Sequence, residues 1–226
     1  MDREAFSRIE QYMKSCALFS SHDELHSLRV LYLALDIADH EGGADLDILI
    51  PACLLHDIGR NEQKENPTLC HAQVGSKKAE KWLLCNGWDK LSALKIAECV
   101  LTHRFRSDHQ PDSLEAKILF DSDKLDVCGA LGIARTLYYG AELSEPLYDF
   151  LPDGSISDGT DGIGDSFVYE YKFKLERICE SLYTKRAKEI GILRRKAAAS
   201  FYNELLREAN ESYGCGRGIL ESFLSS

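Results

Sequence analysis

The sequence predicts an all-α protein, and three observations predict it. Apolar residues recur at helical spacing along nearly the whole chain. No run alternates apolar and polar residues over the length of a strand. The 226 residues carry 44% hydrophobic content, enough for one substantial core.

Each element has its own signal. Asp2 is placed to cap a first helix with Phe6, Ile9, Tyr12 and Met13 on one face. The stretch from Ser21 to Gly43 reads as a second helix, with Leu28, Leu31, Leu35 and Ile37 in the core and Gly42-Gly43 as its stop. Asp45 caps a third, "LDILIPACLLHDIG", which Gly59 is expected to end, with Pro51 as a kink or a late start. "HAQVGSKKAEKWLLCNG" is a helix closed by Asn86 and Gly87, and "KLSALKIAECVLTHRF" is the next. "SLEAKILFDSDKLDVCGALGIARTLYYG" supplies one long helix or two. Residues 167–210 form the C-terminal helical region, with Leu175, Ile178, Leu182, Ile190, Leu193, Phe201 and Leu205 as its apolar positions. Between them, 151–166 is rich in Gly, Asp and Ser and reads as a flexible loop. Its aspartates do not follow the order of a calcium loop. "GCGRG" near the C-terminus follows no strand, so it is no nucleotide fingerprint.

Composition narrows the function classes. A formal net charge of −10 repels a nucleic-acid backbone over the general surface and argues against binding a duplex. A local basic patch for a small phosphorylated molecule is compatible with it. The N-terminal stretch is charged and amphipathic, unlike a signal peptide, and no apolar run approaches the roughly 18 residues of a membrane span. The expectation is a soluble, cytoplasmic protein that engages no membrane. The eight cysteines form no CxxC pair and sit mostly among apolar neighbours, which favours buried thiols in a reducing compartment over a zinc site or a disulfide framework.

The chemistry concentrates in "IPACLLHDIGR". A mostly apolar run leads into His56 and Asp57, and an unpartnered buried carboxylate is costly. Imidazole and carboxylate bind divalent cations directly, so a metal ion is one way to make such burial favourable. Alone, the pair reads as readily as a cap or a hydrogen-bonded couple. Other ligand-capable residues sit similarly at the edges of apolar helical faces: His26, His71, His103 and Asp123. Several helices of a bundle can aim such residues into one pocket.

The order "H … HD … D" resembles the HD-domain metal-dependent phosphohydrolase superfamily. The resemblance rests on "H-x-x-R-V" at His26 to Val30, "ACLLHDIG" at Ala52 to Gly59 and "D-x-D-K-L-D" at Asp121 to Asp126. It covers about residues 21–140 as the motif core of one helical domain over 1–226, and it implies an α-helical bundle. It places the metal ligands on His26, His56, Asp57 and Asp123. Asp121 and Asp126 compete for the last role, and Asp126 is the better candidate to cap or hydrogen-bond a neighbouring helix. His71, followed by Gly75, and His103 resemble the further histidines of the cyclic-dinucleotide phosphodiesterase branch. The GYP signature of that branch is missing. These two histidines imply either a second metal bridged by Asp57 or a place for phosphate binding and proton transfer.

The implied activity is hydrolysis of a phosphate ester or anhydride of a small molecule, a nucleotide being the leading class. A divalent Mn, Mg, Fe or Co ion would activate water; mixed His/Asp ligands do not choose among these metals. Asp57, His71, His103 and Arg60 are the catalytic candidates, with Lys64, Arg104 and Arg106 for the substrate's negative charge. Arg60 stands where some mononuclear nucleotidases of this type carry an acid. Two alternatives use the same residues: a diiron oxygenase on this fold, and a non-catalytic nucleotide sensor. Basic and apolar residues interleave over 183–210, so pairing into a homodimer is an open option.

Overall fold

The structure, a computed structural model, describes residues 1–16, 24–104, 109–162 and 164–226. It has the all-α class expected from the sequence. Among the described residues the only β-type pairing is one isolated bridge, Phe150 to Ile156. No described helix is long and apolar enough to cross a membrane. The chain packs as two compact units, residues 1–126 with 182–189, and residues 127–181 with 190–226.

The first unit holds α1 (Arg3–Cys16), α2 (Glu24–Glu41), α3 (Leu46–Leu55), α4 (Arg60–Glu65), α5 (His71–Cys85), α6 (Lys90–Thr102) and α7 (Leu114–Asp126). Its centre is α3, in which Ile48, Leu49 and Pro51 to Leu55 are all buried. Four helices, α1, α2, α6 and α7, pack around it. Burying a leucine such as Leu54 or Leu55 contributes about 1.5–3 kcal/mol, so α3 is a firm base for the turn at its C-terminal end. Asp2 and Asp45 cap α1 and α3 as expected, accepting from the amides of Ala5 and Asp47 at 2.8 and 2.9 Å. Asp89 does the same for α6, accepting from Ser92.

The structure corrects three expectations in this unit. α3 stops at Leu55, so His56 and Asp57 occupy a turn and Gly59 does not end the helix. Pro51 does not mark a late start of α3; it lies inside the helix. On α2, Leu31 and Ile37 are buried but Leu28 and Leu35 are half-exposed; the inner face runs through His26, Ser27, Val30, Leu31, Ala34 and Ile37. The bulkier leucines flank this stripe because the 3.6-residue period favours 26, 30, 34 and 37.

Residues 182–189 belong to the same unit through Asp121. This buried carboxylate accepts from the amides of Tyr183 and Thr184 at 2.9 and 2.7 Å and from the Thr184 hydroxyl at 2.6 Å. It thereby satisfies donors at the entry to the last helix, α10 (Lys185–Leu224).

The second unit contains α8 (Gly129–Glu142), the short α9 (Phe167–Glu170) and most of α10. The long apolar segment is therefore two helices, α7 and α8. They part at Val127-Cys128, where Gly129 takes a positive φ of 72°. The region from residue 167 is not one helix: α9 passes into a π-helical turn at Tyr171–Leu175 and a 3-10 turn at Ile178–Ser181. Its core joins Ile133, Phe167, Val168, Tyr171, Leu175, Ala198 and Tyr202. Leu193 and Phe201, expected inside, are exposed; small residues and Tyr202 form the buried stripe of α10 instead. α10 also runs past residue 210 and takes "GCGRG" into a helix. In 151–166, Asp153 and Asp158 each accept from the backbone amide two residues on.

Replacing Asp121 by alanine leaves three donors at residues 183–184 without their acceptor. A loss of about 2–4 kcal/mol is expected in urea unfolding. A change below about half a kcal/mol, with the same m-value, would contradict the role given to this carboxylate.

Candidate metal centre

Five segments of the first unit deliver ligand-capable side chains to one buried place. His26 comes from the first turn of α2, His56 and Asp57 from the turn after α3, His71 from the first position of α5, His103 from just beyond α6, and Asp123 from α7. Four of the five deliver at or near a helix end, where side chains from separate helices can converge. All four histidines are at most 2% exposed.

The closeness of the two halves depends on Gly59. A methyl group there would meet the His71 carbonyl oxygen at 2.2 Å and the Gly75 amide nitrogen at 2.7 Å. The turn after α3 thus lies directly against the first turn of α5, and only a residue without Cβ permits it. Lys78, also on α5, donates to the Ile58 carbonyl and to Glu62, both at 2.7 Å, and pins the same turn. Glu62 is committed to that lysine.

Hydrogen bonds determine which way each imidazole faces. His56 and His103 present Nδ1 to the carbonyls of Cys53 and Val100 at 2.7 and 2.6 Å. His71 presents Nδ1 to the Gln63 side-chain oxygen at 2.6 Å, and His26 to the Asp126 carboxylate at 2.7 Å. All four partners accept, so Nδ1 carries the proton and Nε2 of each neutral ring carries a lone pair. Those Nε2 atoms point inward. His26 and His56 face each other at 3.2 Å, and His71 and His103 at 3.3 Å. Burial pushes the pKa of His56 down to about 4. Burial, with Arg60 beside it, pushes His71 down to about 2. His56 and His71 are thereby favoured in the neutral form, the one that ligates.

Asp57 lies between the pairs. One carboxylate oxygen is 3.6 and 3.7 Å from Nε2 of His26 and His56; the other is 3.6 Å from Nε2 of both His71 and His103. Arg60 donates from Nε to the second oxygen at 2.9 Å. Asp123 completes the first side, 3.4 Å from His26 and 4.0 Å from His56. Its other oxygen takes Lys124 at 2.8 Å. Burial works to raise the Asp123 carboxyl, but Lys124 beside it, joined by His26 and His56 when those rings carry a proton, outweighs it and holds it well below the usual carboxylate range.

This donor set suits a cation. Two clusters emerge, His26–His56–Asp123 and Asp57–His71–His103. Ligand atoms around an ion at bonds of about 2.0–2.2 Å stand about 2.9–3.6 Å apart, and most separations in the two clusters fall in or near that range. Facing lone pairs with no proton between them repel, and a positive ion between them removes the repulsion.

The remaining candidates separate. Asp126 holds His26 and is itself gripped by Arg29, through Nε at 2.8 Å and a terminal nitrogen at 3.1 Å. Asp121 is turned away to the donors of residues 183–184. Arg104 lines a cavity of about 230 Å³ with Gln63, Thr68, Gln73 and His109, and one of its terminal nitrogens is buried without a hydrogen-bond partner. The cavity adjoins the second cluster, since Gln63 also holds His71. Lys64 is exposed on α4, with no hydrogen bond or ion pair to a described residue, so it is not brought to the cluster. Arg106 lies outside the described residues. Gln63, Arg29 and Lys78 were missed in the sequence. Arg29 had a signal, standing one turn after His26 on α2; Gln63 and Lys78 had none.

The HD domain family model matches residues 24–128. YpgQ of Bacillus subtilis, described as uncharacterized, is 28% identical over 193 residues, 84% of this chain and 85% of that one. A crystal structure of YpgQ in complex with ADP superposes with a TM-score of 0.70 at 26% identity, covering 90% of this chain and 97% of the other. An HD-superfamily hydrolase of Bacillus thuringiensis gives a TM-score of 0.69 at 25% identity, covering 92% and 98%.

Exchanging Asp126 for asparagine removes the anionic acceptor behind His26. Calorimetric titration with Mn²⁺ is expected to show affinity weakened by about 10–100-fold. Unchanged affinity would mean that the orientation of His26 does not depend on this contact.

Proposed function

We propose that this chain, which belongs to the HD-domain superfamily, is a metal-dependent phosphohydrolase that cleaves a phosphate ester or anhydride of a small molecule, with nucleotides as the substrate class. The observation that carries the reading is the convergence of four Nδ1-fixed imidazoles on the two oxygens of Asp57. The hydrolase relative supports the reaction type, and the ADP held by YpgQ supports the substrate class.

In this reading His26, His56 and Asp123 would hold one divalent ion and His71 and His103 a second, with Asp57 available to both. Such ions supply Lewis acidity toward a phosphoryl oxygen and lower the pKa of bound water. The metal is Mn, Mg, Fe or Co.

The chain's own groups then have distinct tasks. Arg60 and Lys124 engage one oxygen of Asp57 and of Asp123 respectively and orient those carboxylates. Asp126, Gln63 and two backbone carbonyls keep the imidazoles in the ligating tautomer. Arg60 is thus a positioning residue, which accounts for a base where some relatives have an acid. Arg104, with a buried nitrogen at the cavity beside the second cluster, takes the substrate's anionic group.

The test is a panel of nucleotides and phosphomonoesters with Mn²⁺. Phosphate or pyrophosphate release is expected from the wild type, at background after chelation and in Asp57→Ala. Arg104→Ala is expected to raise KM about 10–100-fold, the worth of a hydrogen bond to a charged group. Equal rates for wild type and Asp57→Ala would remove the site assignment. Iron-dependent oxygen consumption without phosphate release would replace the hydrolase by the oxygenase that six His/Asp ligands also suit.

A further inference from the structure

The second unit brings together two cysteines that the metal centre does not use. Cys128 precedes α8 and is buried; Cys179 lies on the 3-10 turn Ile178–Ser181 and is half-buried. They stand 51 positions apart in sequence, yet their sulfurs are 2.9 Å apart. That is closer than ordinary contact between thiols, so the chain already presents the two sulfurs to each other.

Their surroundings hold this arrangement. A methyl group on Gly129 would come within 2.9 Å of the Arg194 Cβ, so the backbone beside Cys128 lies directly against α10. Contact with Cys128, joined by Arg195 and Arg194, lowers the Cys179 thiol against the opposing effect of burial. Cys53 and Cys99 contrast with it. Burial drives Cys99 up to about 12 and Cys53 well above its ordinary value, which makes both unreactive.

We propose that Cys128 and Cys179 are an oxidation site at which hydrogen peroxide converts two thiols into one intramolecular disulfide, joining the ends of segment 128–179. Cys179 is the attacking sulfur, being the more accessible. Its thiolate attacks one peroxide oxygen, the O–O bond breaks, and the departing hydroxide takes up a proton as water. This leaves a sulfenic acid on Cys179. The Cys128 sulfur then attacks the Cys179 sulfur. The S–S bond forms, the S–O bond breaks, and the leaving hydroxide carries away the Cys128 proton as a second water. Two thiols lose two electrons and one peroxide becomes two waters. A dithiol reductant reverses the change. The closed loop contains α8, residues 151–166 and α9, so the disulfide restricts the unfolded chain across most of the second unit's irregular part.

The full chain is titrated with hydrogen peroxide, alkylated, digested with trypsin and mapped by mass spectrometry. Residues 125–135 and 178–185 fall in separate tryptic peptides. The expected result is a cross-link between them at the lowest peroxide that modifies any cysteine, lost after dithiothreitol and absent in Cys179→Ser. The oxidised wild type is expected to unfold at higher guanidinium than the reduced form, with no such shift in Cys179→Ser. Should Cys128 and Cys179 both remain alkylatable after other cysteines have oxidised, or cross-link only elsewhere, the proposal is overturned. A lower unfolding midpoint in the cross-linked form overturns the stapling role.

Discussion

Four imidazole protons organise the first unit. Each buried ring spends its Nδ1 proton on an acceptor outside the cluster: two carbonyls, one amide oxygen and one carboxylate. The inward side of the cluster is then a set of Nε2 lone pairs turned toward one another and toward Asp57. Without a cation this is an unfavourable arrangement, the more so because burial suppresses protonation of His56 and His71. The surrounding helices must therefore be stable enough to hold it. α3, buried along nearly its whole length, and the four helices around it provide that stability.

The same constraint explains why the functional side chains lie at helix ends. A ring in mid-helix shares its face with residues three and four positions away, so few separate helices can meet there. At an end, the backbone offers carbonyls that no helical amide uses, and His56 and His103 take carbonyls three residues back for their Nδ1 protons. Gly59 brings the His56–Asp57 turn against α5 so that a single carboxylate reaches both histidine pairs. Arg60 and Lys124 then lend positive charge from the rim: Lys124 takes the Asp123 oxygen that is not against His26 and His56, and Arg60 shares the Asp57 oxygen that faces His71 and His103.

Much of this was legible in the sequence, for identifiable reasons. The helical period indicated the fold class, and the order of His26, His56, Asp57 and Asp123 pointed to one centre through local motifs. His71 and His103 were legible as histidines at helix edges. Of the three nearby carboxylates, Asp123 lies against Nε2 of His26 and His56, Asp126 holds Nδ1 of His26, and Asp121 is turned to residues 183–184. The features that could not be read depend on how the chain turns back on itself or on how helices pack. Gln63 is an ordinary helix residue until α5 brings His71 beside it. Arg60 becomes a partner of Asp57 only when the turn is built. Leu28, Leu35, Leu193 and Phe201 were misplaced because hydrophobicity ranks them above Ala34 and Ala198, whereas close helix packing selects the small residues. The meeting of Cys128 and Cys179 leaves no local trace at all.

The most direct measurement is a crystal structure grown with Mn²⁺, with metal positions taken from anomalous scattering. The account predicts two peaks. One is bonded to His26, His56 and Asp123, the other to His71 and His103, and one oxygen of Asp57 is on each. Metal bound away from these residues, or a centre in which Asp57 touches no ion, would contradict it.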